Sequence, residues 1–229
     1  MTNKTALILG ITGGVGQELA KAFLERGFSV IGTSHQKSNS TLPIQSPNLT
    51  IFPLEFNDRT SIDHFLTQIK AIKIDFFINT IGSYTLNRFE NISITAFEKD
   101  LTINFTNQVY SLQKIIPRLN PGANAIFLLT DMVLDRTPAF LCSYVSSKFA
   151  LLGLMISLSK EYSSKGLRFN AISPSMMETN FVSSLPQFVK EQYVENSPKK
   201  RFTPLKEVSS IILKIIDDTS INGQNIPIY

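Results

Sequence analysis

The run Thr5-Ala6-Leu7-Ile8-Leu9-Gly10-Ile11-Thr12-Gly13-Gly14-Val15-Gly16 decides how the rest of the chain is read. Thr5–Leu9 has the character of a short buried strand. Glycines then break it, and Val15–Arg26 carries helical periodicity as far as Gly27. A strand, a glycine turn and a helix in that order form the first βα junction of a nucleotide-binding domain far more often than isolated glycines do. Gly10 permits a tight turn, Gly14 lets backbone approach a pyrophosphate, and Gly16 lets the helix pack closely. The amides of Thr12, Gly13, Gly14 and Val15 then stand at a helix N-terminus, where anions bind. The competing reading is a turn made glycine-rich for packing alone. The βα context favours the ligand.

Outward from this turn, strand-like and helix-like segments alternate. Strands are expected at Phe28–Thr33, Leu49–Leu54, Ile74–Asn79, Ala125–Thr130, Leu167–Ile172 and Gln224–Ile228. Helices are expected at Thr60–Ile72 (capped by Asn57 or Asp58), Thr95–Leu119, Ser143–Ser164 and Pro204–Asp218. Continuous apolar strands separated by helices of this length imply parallel βαβ units with both sheet faces covered. The fold class is therefore α/β: a single doubly wound, Rossmann-like domain over residues 1–229, with a mostly parallel sheet flanked by helices. Segment 176–203 follows a strand end and is irregular, the usual place for a substrate cover.

Composition narrows the function. The 229 residues are 43% hydrophobic and only 17% charged, enough apolar material for a sizeable core. A net charge of +4 with one short basic run, Lys199-Lys200-Arg201, does not argue for nucleic acid. The single cysteine, Cys142, is read as a packing residue in a reducing compartment. His35 and His64 are too few for a zinc cluster. No apolar run reaches the length of a membrane span and no leader pattern opens the chain, so a cytoplasmic protein with no membrane partner is expected.

Tyr144 and Lys148 lie four residues apart within Ser143-Tyr144-Val145-Ser146-Ser147-Lys148. On a helix they share one face. A cation beside a phenol stabilises phenolate, so Lys148 is expected to lower the pKa of Tyr144 and fit it for proton transfer.

The spacing Gly10-x-x-x-Gly14-x-Gly16 resembles the first motif of the short-chain dehydrogenase/reductase family, and the resemblance runs across nearly the whole chain. Asn79-Thr80-Ile81-Gly82 is similar to the family's Asn-Asn-Ala-Gly segment. Asn104 falls at its helix Asn, and Tyr144-x-x-x-Lys148 at its catalytic pair. Asn170-Ala171-Ile172-Ser173-Pro174 and Thr179 resemble the stretch after its sixth strand. The resemblance implies reduction of a carbonyl or oxidation of an alcohol with NAD(P). Tyr144 would be the acid/base, Lys148 would hold the nicotinamide ribose, Asn104 would position a water, and Thr179 would meet the nicotinamide amide. Asn79, Thr80, Gly82 and Pro174 would border the cofactor. It also implies a homodimer or homotetramer built on the helices around Thr95–Leu119 and Ser143–Ser164.

Two departures stand out. Thirteen residues before Tyr144, where the family has Ser, stands Asp131, which cannot donate a hydrogen bond when ionised. Thr130 replaces the hydroxyl, or Asp131 is protonated, or turnover is lost; Thr130 is favoured. Thr130-Asp131-Met132-Val133-Leu134-Asp135 also resembles a segment of extended nucleotide-sugar reductases, which keeps an epimerase as an alternative beside a non-catalytic cofactor-binding protein. Ser175 stands where the family usually has Gly, with no more than a tighter turn expected of it.

Cofactor choice rests on the end of the second strand. Thr33-Ser34-His35-Gln36-Lys37 carries no acid to hold a ribose 2′-hydroxyl, and His35 and Lys37 can pair with a 2′-phosphate, so NADP is expected and NAD remains possible. Glu55-Phe56 stands where an Asp-hydrophobic pair flanks adenine. Met176, Met177, Phe181, Val182, Leu185, Phe188 and Tyr193 either line an apolar substrate pocket or pack as core.

Overall fold

Seven parallel strands form one sheet in the order β3-β2-β1-β4-β5-β6-β7. They are β1 (Thr5–Leu9), β2 (Ser29–Ser34), β3 (Leu49–Pro53), β4 (Ile74–Asn79), β5 (Leu119–Leu128), β6 (Arg168–Pro174) and β7 (Asn225–Ile228). The structure, a computed structural model, describes residues 4–35, 44–134, 137–183 and 185–229. The helices are α1 (Gly14–Glu25), α2 (Arg59–Gln68), α3 (Ile94–Leu101), α4 (Asn107–Ile115), α5 (Cys142–Glu161), α6 (Asn180–Ser183), α7 (Gln187–Asn196) and α8 (Leu205–Asp217). Chain order reverses between β1 and β4, which opens a crevice at their carboxyl ends.

Side-chain alternation along each strand divides the core in two. Leu7, Phe77, Phe127 and Phe169 point to one face, where Leu112 of α4 and Leu151 and Met155 of α5 cover them. Ala6, Ile8, Phe76, Ile126 and Ile172 point to the other, against Leu19 and Phe23 of α1 and Val208, Ile212 and Ile215 of α8. Because both faces are buried, apolar residues dominate both faces of the inner strands, and the buried polar ones such as Asn124 and Asn170 are hydrogen-bonded. The edge strand β3 is partly exposed along its length.

Two expected elements differ. Thr95–Leu119 is not one helix. A π turn over Thr102–Thr106 separates α3 from α4, and a 3-10 turn at Ile116–Arg118 ends the run. Thr102-Ile103-Asn104-Phe105-Thr106 is poor in strong helix formers. Pro117 then brings no N–H to the helix. The following strand starts at Leu119 rather than Ala125, with a register shift between Ile74 and Phe76 and Gly122 at φ 83. A glycine in that conformation lets a bulged strand keep pairing. Asp58, not Asn57, caps α2, accepting from Thr60 N. The expectation that nothing is long enough to span a membrane also needs correction. α5 is long and apolar enough by composition, but half of it is buried inside the domain. Core position, between the sheet and the surface, explains that character.

Candidate active site

The crevice at the carboxyl ends of β1 and β4 is a cavity of about 630 Å³ that brings most of the sequence-selected residues together. Its floor is the first turn. Gly10 has φ 84, a left-handed conformation that other residues rarely adopt, and its N–H donates to Thr33 Oγ1 at 3.1 Å. A Cβ on Gly16 would lie 2.4 Å from the Gly10 carbonyl oxygen, so the close packing expected there is against the turn itself. Gly13 caps α1 without any side-chain hydrogen bond, and the first turn carries no acidic residue. Thr12, Gly13, Gly14 and Val15 face the cleft. Gly14 has an additional reason to lack a side chain: a Cβ would meet Leu205 Cδ1 at 2.8 Å and Thr179 Cγ2 at 3.1 Å.

The walls come from the ends of β2, β3, β4, β5 and β6. Thr80 Oγ1 donates to Leu9 O at 2.8 Å, tying the loop after β4 to the first turn. Buried Asn79 lies behind, accepting from Ile81 N through its side chain at 3.0 Å. Gly82 and Pro174 line the cleft, as do Thr179, Ser34, His35 and Phe56. His35 Nε2 stands 2.7 Å from Glu55 Oε2, so Glu55 meets the cleft through the imidazole rather than by lining it. Lys37 lies outside the described residues.

Tyr144 and Lys148 share the inner face of α5, as their spacing requires; both are buried. Lys148 Nζ donates to Leu128 O at 2.9 Å and sits 5.6 Å from the centre of the Tyr144 ring. Burial pushes the Lys148 ammonium down to about 8. The phenol does not behave as expected. Its pKa is raised, first by burial and then by the charge of Asp131; the hydrogen bond from Thr130 acts the other way but is outweighed. The ammonium lies over the ring, bonded to a backbone carbonyl rather than to the phenol oxygen, and does not overcome the loss of water. Tyr144 is accordingly a protonated donor at neutral pH.

Asn104 is fully buried in the π turn. Its Oδ1 accepts from Ser83 N and its Nδ2 donates to Ser83 O, each at 2.8 Å. A Cβ on Gly82 would lie 3.5 Å from Asn104 Oδ1 and 3.7 Å from Lys148 Nζ, so these groups close round one point. The wide turn (a feature frequent at functional sites) presents Asn104 to the loop that carries Gly82.

Thr130 and Asp131 divide the role left open by the sequence. Thr130 lines the cleft and is the hydroxyl beside Tyr144. Asp131 is fully buried behind it; Ser175 Oγ donates to Asp131 Oδ2 at 2.7 Å and the Tyr193 hydroxyl donates to Asp131 Oδ1. The two departures from the family pattern are therefore partners, and Ser175 does more than tighten a turn. Met176, Met177, Phe181, Val182 and Leu185 line the cavity, whereas Phe188 points outward, 65% exposed.

Sequence reasoning missed several residues. Tyr84 packs edge-on to Phe181 with ring centres 4.8 Å apart and to Tyr144 at 6.5 Å, forming an aromatic wall. Ser83 and Asp100 also escaped notice: Asp100, itself buried, accepts from Ser83 Oγ at 3.1 Å and from Ser143 Oγ at 2.7 Å, tying the loop after β4 to α5. No local pattern marks them, because each partner lies on a different element.

Comparison with known proteins agrees with this architecture. Residues 10–228 match a family model described as enoyl-(acyl carrier protein) reductase. The chain is 27% identical over 221 residues to a 3-oxoacyl-[acyl-carrier-protein] reductase FabG of Buchnera aphidicola, covering 93% of this chain and 89% of that protein. A crystal structure of a short chain dehydrogenase family protein from Francisella tularensis superposes with a TM-score of 0.89 at 20% identity, over 99% of this chain and 97% of that one. A short chain dehydrogenase from Burkholderia cenocepacia in complex with NADP superposes with a TM-score of 0.89 at 17% identity, over 98% and 96%.

Proposed function

The chain belongs to the short-chain dehydrogenase/reductase family of oxidoreductases, and on that footing we propose that it is a cytoplasmic, NADP-dependent reductase of a carbonyl compound, with Tyr144 as proton donor. The carrying observation is the geometry of the site: Tyr144 and Lys148 share the buried inner face of α5 at the cleft, Nζ 5.6 Å from the ring centre, with the Thr130 hydroxyl lining the same cleft. A protonated phenol suits reduction at neutral pH, whereas alcohol oxidation requires it to lose its proton first.

The turn fits a dinucleotide. The N-terminus of α1 lacks a side-chain cap, has no acid in its first turn and opens into the cleft; Gly13 N–H is given to Gly10 O at 3.0 Å, and the N–H groups of Gly14 and Val15 are left for phosphate. Ser34 and His35 border the ribose end with no carboxylate from β2, which favours NADP over NAD. NADP is also bound by the Burkholderia cenocepacia protein of the same fold. A bound nicotinamide cofactor supplies the hydride to the carbonyl carbon. Thr130 Oγ1 orients the carbonyl oxygen, and Tyr144 delivers its proton there. Lys148 stabilises the phenolate left behind, and Asn104 holds the Ser83 loop beside Lys148. The aromatic and methionine lining suits a substrate with an apolar portion, in keeping with the 3-oxoacyl reductase name of the Buchnera aphidicola relative. We extend the proposal to a homodimer or homotetramer that covers Phe149 and Ile156, the exposed large apolar residues of α5.

The test is NADPH oxidation, with NADH in parallel, against a panel of ketones and 3-oxoacyl thioesters. Tyr144→Phe is expected to bind NADPH as the wild type does and to lose at least a hundredfold in kcat, roughly the contribution of a positioned general acid. Turnover that survives the substitution would remove the mechanism.

A further inference from the structure

α7, the helix that follows the residues lining the cleft, reaches a buried carboxylate of another element. α7 contributes no buried residue to the core, so packing alone gives it little hold on the domain. Lys190 bonds Ser183 and Gln187 bonds Glu191, contacts that stay within the covering segment. Tyr193 is different. Its ring packs on the small cluster of Met132, Leu141, Tyr144 and Val145, and its hydroxyl reaches past them to Asp131. Ser175 in turn donates to the other Asp131 oxygen at 2.7 Å.

We propose that Asp131 is a latch: a positioning residue that does not touch substrate but holds α7 against the wall that carries Tyr144 through the Tyr193 hydroxyl, with Ser175 as its fixed second anchor. A fully buried carboxylate needs donors to offset its lost hydration; Thr130 Oγ1 lies at 3.5 Å, and the close donors Ser175 and Tyr193 come from the stretch that follows β6. Opening α7 removes one donor, so closure is favoured by the strength of a charge-assisted hydrogen bond. Asp131 also adjoins Thr130, so the latch sets the cover and the substrate-facing hydroxyl from one turn of chain. Phe181, Val182 and Leu185, which line the cleft, directly precede α7, so the hold on α7 gates substrate rather than chemistry. That gating role rests on the reading of the cleft as an active site; the attachment itself does not.

Hydrogen exchange of the free protein tests the attachment without any substrate. Tyr193→Phe keeps the ring and deletes the donor. Amides of Gln187–Asn196 are expected to exchange about tenfold faster or more, while those of Cys142–Glu161 keep their wild-type rates. Adding Asp131→Asn to Tyr193→Phe is expected to accelerate Gln187–Asn196 little further, because the two groups act as one unit. In turnover with NADPH and the best ketone of the panel, Tyr193→Phe is expected to raise KM several-fold at nearly constant kcat, since only the closed fraction is competent. Unchanged exchange in Gln187–Asn196, or equal acceleration throughout the domain, would overturn the latch. So would an Asp131→Asn variant that folds, keeps its cover protected and loses kcat, since Asp131 would then act on the substrate itself. If the wild type turns over no ketone, the exchange result still decides the latch, and only the proposed activity fails.

Discussion

Replacing Lys148 by Met should stabilise the protein while abolishing turnover, and the stability gain should depend on pH in a calculable way. Lys148 is 3% exposed, and burial lowers its pKa from 10.5 to about 8. Holding the ammonium charged at neutral pH therefore costs about 3 kcal/mol relative to the unfolded chain. The sign follows from proton counting. Between pH 8 and 10.5 the folded protein has released this proton and the unfolded chain has not, so stability rises with pH across that window. From pH 7 to pH 9.5 the recovered stability is about 2 kcal/mol. Methionine fills similar volume without a charge, although it forfeits the bond to Leu128 O. The assay is urea denaturation of both proteins at the two pH values. Other titrating groups cancel in the difference. At pH 7 the variant should be the more stable, and its lead should shrink by about 2 kcal/mol at pH 9.5. A lead that stays constant or widens would refute the claim that burial, rather than a compensating partner, governs Lys148.

The same titration should appear in rate. Reduction is expected to hold up to about pH 8 and then fall towards tenfold per pH unit as Lys148 loses its charge, read from a kcat profile. Gly16→Ala places a methyl 2.4 Å from the Gly10 carbonyl oxygen and 2.8 Å from Ile11 Cα. Backbone cannot step aside as a side chain can, so a loss of about 2 kcal/mol or more is expected, seen as a fall of roughly 5 °C in Tm. Asn104→Ala leaves both backbone groups of Ser83 without the side chain that pairs them, and denaturation should show a loss of about 2 kcal/mol. An Asn104→Ala protein as stable as the wild type would mean that water replaces the amide.

How much could be read in advance varied by element. β1, β4 and the first turn were legible because strand periodicity, a left-handed glycine and a following helix are all local signals. The Tyr144–Lys148 pairing was legible for the same reason, since one helical turn fixes which side chains share a face. The break in the helix over Thr95–Leu119 is not legible because the residues buried through the π turn (Asp100, Asn104, Asn107, Gln108 and Ser111) are polar and leave no apolar stripe to mark it; its sign is Asn104 turned inward to Ser83, 21 residues away. The electrostatics of Tyr144 were misread because proximity of a cation is a sequence inference, whereas burial is not.

By itself the amino-acid order determined a doubly wound α/β domain, a phosphate-suited turn, and a phenol and an amine on one helical face. Only the tertiary structure decided that Thr130 stands beside the phenol while Asp131 turns away to Ser175 and Tyr193, 44 and 62 residues along the chain. The physical reason is range. Backbone geometry fixes neighbours within a turn, but the partner of a buried carboxylate is whichever donor the packed chain brings to it, and that is settled by the fold as a whole.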